Sequence, residues 1–239
     1  QLVGNEQDHK YFLNRSFNYR KLYNAETGFF HPKDNKGEFI MPFNYKFSGG
    51  MGARKYYGEN NAWIYRWDVP HSVADLIELM GGREQYIKNL DDTFNEPLER
   101  SKYAFYAQLP DQTGNVGQFS MANEPSLHIP YLYNYAGYEW KTQERVRMIL
   151  KSMYSNTEDG LCGNDDAGQM SAWYVLAAMG IHPICPGDNK YQVTSPVFNK
   201  IEIKLDSKYY SGKKFTIIAN NNSAENIYIQ SMKLNGIPM

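Results

Sequence analysis

Two carboxylates stand side by side in GLCGNDDAGQMSAW, residues 160–173, where a polar, glycine-bearing loop runs into an apolar stretch. Asp165 or Asp166 can cap a helix that begins near Gly168, because a carboxylate there meets open backbone N–H groups and the positive end of the helix dipole. One acid suffices for that duty. A second one, repelled by the first, is more easily explained by chemistry in which one carboxylate takes a proton from water while its neighbour orients the water or tunes the base.

A lone acid lies in YYGENNAWIYRWDVPHS, residues 56–72. Glu59 sits in a Gly/Asn-rich loop ahead of Trp63, Tyr65 and Trp67, whose period of two reads as one face of an extended segment. The plain reading is a surface glutamate and three core rings. In the functional reading the aromatic surroundings desolvate Glu59 and raise its pKa, so that it delivers a proton near neutrality. A third cluster, SMANEPSLHIPYLYNYAG at residues 120–137, sets Asn123 and Glu124 before Pro125 at a helix start, with His128, Tyr131 and Tyr135 spaced along one face. Capping by Asn123 accounts for part of this. A carboxylate with amide and carbonyl oxygens equally suits a hard cation such as calcium, the ligands beyond those visible being water or substrate. A lone acid and a separate acid pair together answer the requirement of inverting glycoside hydrolysis, in which one group protonates the departing oxygen and another deprotonates water on the opposite sugar face. The carboxyls should then lie roughly 6.5–9.5 Å apart.

The elements that must hold these groups are helical through about residue 180. Val69, Val73, Leu76, Ile77 and Met80 repeat at three and four until Gly81–Gly82 stops them, and similar patterns cover 5–23, 83–95, 127–136, 141–154 and 168–179. Long polar connections at 24–62 and 97–125 exceed ordinary helix links and are read as functional or as stabilised from outside the chain. After Pro183 the pattern alternates in YQVTSPVF, KIEIKL, KKFTIIA and NIYIQSMKL, the mark of antiparallel strands with one solvated face. The expected organisation is therefore helices over 1–183 and a β segment over 184–239. The fold class is mainly α with a C-terminal β segment.

The 239 residues carry 25 basic and 26 acidic side chains, so no general pull toward nucleic acid or an anionic surface follows. The 20 tyrosines and 4 tryptophans suit polar ligands with apolar faces, sugars among them. Two cysteines, Cys162 and Cys185, exclude a thiolate metal cage; one bridge between them or two buried thiols are the remaining readings. No apolar run approaches the roughly 20 residues of a membrane span. The opening QLVGNEQDHKYF reads as the edge of an excised piece, so the missing leader says nothing about export.

At these windows the sequence resembles glycoside hydrolase family 92, calcium-dependent exo-α-mannosidases best known from gut Bacteroidetes. ENNAWIYRWDVPH, ANEPSLHIPYLYNYAG and GNDDAGQMSAWYVLAAMG are similar to that family's long motifs, with KTQERVR and TGFFHPKD, and the likeness spans nearly all of residues 4–200. Asn60 and Ala122 stand where the pattern has Gly, Leu127 where it has His and Ala167 where it has Cys. The resemblance implies a partial (α/α)₆ toroid, about half of its helices, followed by antiparallel strands, and a missing N-terminal part of the same protein. It implies Glu59 as general acid, Asp166 supported by Asp165 as general base, and Trp63, His128 and Gln169 in the sugar pocket. Asn123 and Glu124 fall in the segment that holds calcium. The implied substrate is a mannose-containing glycan, the implied location periplasmic, cell-surface or secreted. The alternatives are a non-catalytic carbohydrate-binding fragment and a toroidal glycosidase of other sugar specificity.

Overall fold

The structure is a computed structural model and describes residues 4–47, 55–108 and 113–239. Parts of the two long connections, residues 48–54 and 109–112, therefore lie outside the described residues, as do 1–3 of the opening stretch. The chain forms two compact units, Gln1–Pro125 and Ser126–Met239.

In the first unit α1 spans Glu6–Arg15. Asn5 caps it by accepting from the Asp8 N–H at 3.1 Å, with Glu6 and Asp8 at the positive end and Arg15 at the negative end. The helical pattern of 5–23 does not run on: a 3₁₀ turn, Asn18–Leu22, follows, then the hairpin β1 (Tyr23–Asn24) and β2 (Phe29–Phe30). The helical turn α2 occupies Ala62–Tyr65. Next come α3 (Val73–Leu79), closed by Gly81 and Gly82 at φ 95° and 101°, and α4 (Arg83–Asn95). Tyr86, Ile87, Leu90 and Phe94 of α4 face inward at the spacing expected of an amphipathic helix. Trp67, fully buried, meets Tyr86 edge-on and donates its Nε1–H to Thr93 Oγ1 at 3.0 Å. The helix α5 (Lys102–Gln108), unread in the sequence, precedes the hairpin β3 (Asn115–Val116) and β4 (Phe119–Ser120).

In the second unit a 3₁₀ segment, Ile129–Ala136, packs on α6 (Glu139–Ser152), which buries Val146, Ile149 and Leu150. The tyrosine spacing therefore diverges from expectation. With three residues per turn, position 135 swings away from 128, and Tyr131 is fully buried while Tyr135 is 36% exposed. The helix α7 (Gln169–Met179) ends at Gly180, φ 81°, where a Cβ would lie 2.6 Å from the Thr194 carbonyl oxygen. Only glycine allows that approach, which seats the helix end against the strands.

The strands after α7 are antiparallel pairs: β5 (Ile181–His182) with β6 (Gln192–Val193), β7 (Lys200–Lys204) with β8 (Lys214–Ile218), and β9 (Lys233–Leu234) with β10 (Ile237–Pro238). The expected strand at 226–232 is absent, because the Ile229 N–H is taken by the Gln143 side chain of α6 at 2.6 Å instead of a neighbouring strand. Arg147 of α6 binds Ser195 Oγ, the Pro196 carbonyl and Asn222 Oδ1, tying helix to strands. Mainly α with a C-terminal β segment is thus the fold class observed. Both cysteines are free and half-buried, and among the described residues no helix is long and apolar enough to cross a membrane.

Candidate active site

The segment carrying Glu59 is not extended through its aromatics. Asn61 accepts from the Trp63 N–H at 3.1 Å and starts the helical turn α2, so the three rings diverge. Trp63 packs edge-on against Phe29 with centroids 5.0 Å apart, Tyr65 stacks on Tyr57, and Trp67 enters the core. Asn61 also donates to the Lys46 carbonyl at 2.9 Å and to Gln118 Oε1 at 3.0 Å. Gln118, in the turn of the β3–β4 hairpin, donates in turn to the Pro97 carbonyl at 2.8 Å. One buried asparagine thereby fastens the Glu59 loop to two separate parts of the unit.

Beside Trp63, the guanidinium of Arg66 is buried over Phe29 at 4.1 Å, with Trp67 and Trp63 at 5.3 and 5.5 Å, and donates to the Gly28 carbonyl at 2.8 Å. Burial lowers its pKa to about 10, which leaves it a cation held by ring faces and a carbonyl. Trp63 is half-buried, its Nε1 buried without a hydrogen-bond partner among the described residues. It lines a cleft of about 560 Å³ with Phe29, Phe43, Tyr45 and Lys46. Glu59, Asn123 and Glu124 do not line this cleft, and of the expected site residues only Trp63 does.

Glu59, Asn123 and Glu124 are brought together. The Asn123 amide nitrogen donates to Glu59 Oε2 at 3.0 Å and lies 3.5 Å from Glu124 Oε2, while its carbonyl oxygen accepts from Asn60 Nδ2 at 2.8 Å. Asn60, fully buried, entered the sequence reading only as an asparagine where the family pattern has glycine, not as a site residue. For a hard cation the carboxylate of Glu124 is a donor of the right kind, while the amide oxygen of Asn123 is engaged by Asn60 and would serve only after the amide turns over. Among the described residues no three of His, Cys, Asp and Glu gather into a ready-made cage, so water or sugar hydroxyls would complete the shell.

The acid pair lies in the second unit, and there the two carboxylates differ. Asp165 is the cap: its Oδ1 accepts the Ser171 N–H at 2.8 Å, its Oδ2 the Ser171 hydroxyl at 2.9 Å, and its carbonyl the Gln169 N–H at 2.7 Å. Asp166 exposes its side chain and meets the helix start through its carbonyl, which accepts the Gln169 N–H at 3.3 Å. It is the first of three successive left-handed residues, with φ 41°, 59° and 90° at Asp166, Ala167 and Gly168, and Asn164 Nδ2 donates to its Oδ1 at 2.6 Å. Left-handed backbone at a non-glycine residue costs about 1–2 kcal/mol. Gln169 opens α7, exposed beside the pair.

His128 is buried just before the 3₁₀ segment. Nearby, Tyr131 stacks on His182 with centroids 4.7 Å apart, and Trp173, which donates to the Leu127 carbonyl at 2.9 Å, stacks on Tyr154. Burial, with the charge of His128 adding to it, lowers the His182 pKa to about 4.

The model of the glycosyl hydrolase family 92 catalytic domain matches residues 1–239. The chain belongs to glycosyl hydrolase family 92. It is similar to a family 92 α-mannosidase of Bacteroides thetaiotaomicron solved in complex with mannoimidazole, at 35% identity and a TM-score of 0.88, covering 99% of this chain and 30% of that one. A family 92 inverting mannosidase of the same organism shares 35% identity at a TM-score of 0.81, over 99% of this chain and 32% of its own. A secreted glycosidase of Arthroderma benhamiae is 28% identical over 98% of this chain and 30% of its own length. The chain thus spans about a third of these relatives, and its fold is that of the corresponding part of the family 92 toroid.

Two measurements check the site's physics. Asp165→Ala should lower stability by about 1 kcal/mol through loss of the α7 cap, whereas Ala167→Gly should raise it by up to about 1 kcal/mol by relieving the left-handed turn; urea unfolding reads both signs. Because the folded His182 pKa is depressed, the unfolded chain binds this proton more readily. Stability is therefore full above about pH 6.5 and falls as pH drops toward 4, by about 1–3 kcal/mol. His182→Gln should flatten that limb in unfolding curves at pH 7 and 4.5.

Proposed function

We propose that the full-length protein hydrolyses terminal α-linked mannose from glycans with inversion of configuration, assisted by calcium. The observation that carries this reading is the presence of two unlike acids within a family 92 catalytic chain: Glu59 held by an amide in a closed network, Asp166 exposed on a left-handed turn. Glu59 acts as the general acid that protonates the departing oxygen, and Asp166 as the base that deprotonates water on the other sugar face. Asp165 supports Asp166 by holding the start of α7. Trp63, His128 and Gln169 contact the sugar. Support for mannose comes from the solved relatives, one an α-mannosidase with mannoimidazole and one an inverting mannosidase.

Glu124 and, once its amide is turned, Asn123 would hold calcium, which would supply positive charge toward hydroxyl oxygens of the sugar. The protein acts outside the cytoplasm, a reading supported by the secreted relative.

In the full-length protein Glu59→Gln and Asp166→Asn should each lower kcat for an α-mannoside by about 10²–10⁴-fold. NMR of the first-formed anomer should show β-mannose, and a chelator should abolish turnover until calcium is returned. Unchanged turnover in both variants, or an α product, rejects the mechanism.

A further inference from the structure

We propose that Asn60 sets the calcium affinity of the site by holding the carbonyl oxygen of Asn123 away from the ion. The orientation of the amides follows from a donor that cannot be exchanged: the Asn61 backbone N–H donates to Asn60 Oδ1 at 2.9 Å. The Nδ2 of Asn60 therefore points the other way, and only an acceptor can meet it. That acceptor is Asn123 Oδ1, 2.8 Å away, between side chains that are 0% and 3% exposed. The amide hydrogens of Asn123 are left to face Glu59 Oε2 and Glu124 Oε2. A cation is drawn by the Glu124 carboxylate and repelled by those hydrogens.

For Asn123 to become a calcium ligand its amide must turn over, which breaks the bond to Asn60 and strands a buried N–H donor. Asn60 thus opposes calcium, and in its absence the Asn123 amide keeps the two acids together. Asn60 is a positioning residue: it acts through Asn123 and touches no substrate. This inference rests on the calcium reading above.

The test is calcium titration by calorimetry on full-length protein, without substrate. Asn60→Ala removes the competing donor and should bind calcium about 3–10-fold more tightly than the unaltered protein. Asn60→Leu keeps the shape without a donor and without added charge, and should also bind more tightly. If the unaltered protein binds calcium and a folded variant lacking the donor does not bind more tightly, the role of Asn60 is wrong. If none of the three binds calcium, the calcium reading itself fails and this inference with it. Should Asn60→Ala fail to fold, Asn60→Leu alone decides.

Discussion

One carboxamide, that of Asn123, joins the candidate site residues of the first unit. It is buried, and each of its polar atoms is matched: Asn60 on one side, Glu59 and Glu124 on the other. Glu59 and Asn123 are 64 residues apart along the chain, so no local preference could bring them together. What does so is the intolerance of a protein interior for unmatched polar groups, which makes a closed network of short amides stiff. The surrounding structure serves that network. Asn61 fixes the loop against Gln118 and Lys46, Gln118 reaches the end of α4, and Trp67 and Thr93 lock α4 to the segment after α2.

The second unit presents acids differently. Where the first holds its carboxylates in a web of amides, the second divides two adjacent residues between structure and exposure. Asp165 gives both oxygens to Ser171, while Asp166 is turned out by the backbone. A donor to a sugar oxygen is best held firmly at one atom, and a base for water must stay open to solvent. The contrast between a closed and an open setting is the physical basis of the roles assigned to Glu59 and Asp166.

Much of this was legible in the residues. The apolar spacing of 83–95 and the run into GQMSAWYVLAAMG correspond to α4 and α7, because a period of three and four survives wherever a helix faces one core. The rings of 63, 65 and 67 misled, since a side-chain cap by Asn61 outweighs alternation over so few residues. Tyr135 left its expected face because the segment winds as a 3₁₀ helix, and residues 226–232 lost their strand to a single glutamine from α6. The acids themselves were visible by type and neighbourhood. The unequal duties of Asp165 and Asp166 were not, nor was the role of Asn60, because both depend on which way a short polar side chain turns, and spacing carries no record of that.

The left-handed run at residues 166–168 also bears on how this loop can drift over generations. Among side chains, aspartate and asparagine tolerate that backbone best, and glycine is at ease there. An exchange of Asp166 for asparagine is therefore easily borne by the backbone while it removes the acid on which the proposed mechanism depends, whereas glutamate, one methylene longer and still acidic, meets resistance from the backbone before its charge is ever tried. The substitution that looks most conservative on paper is the one this loop is least built to accept.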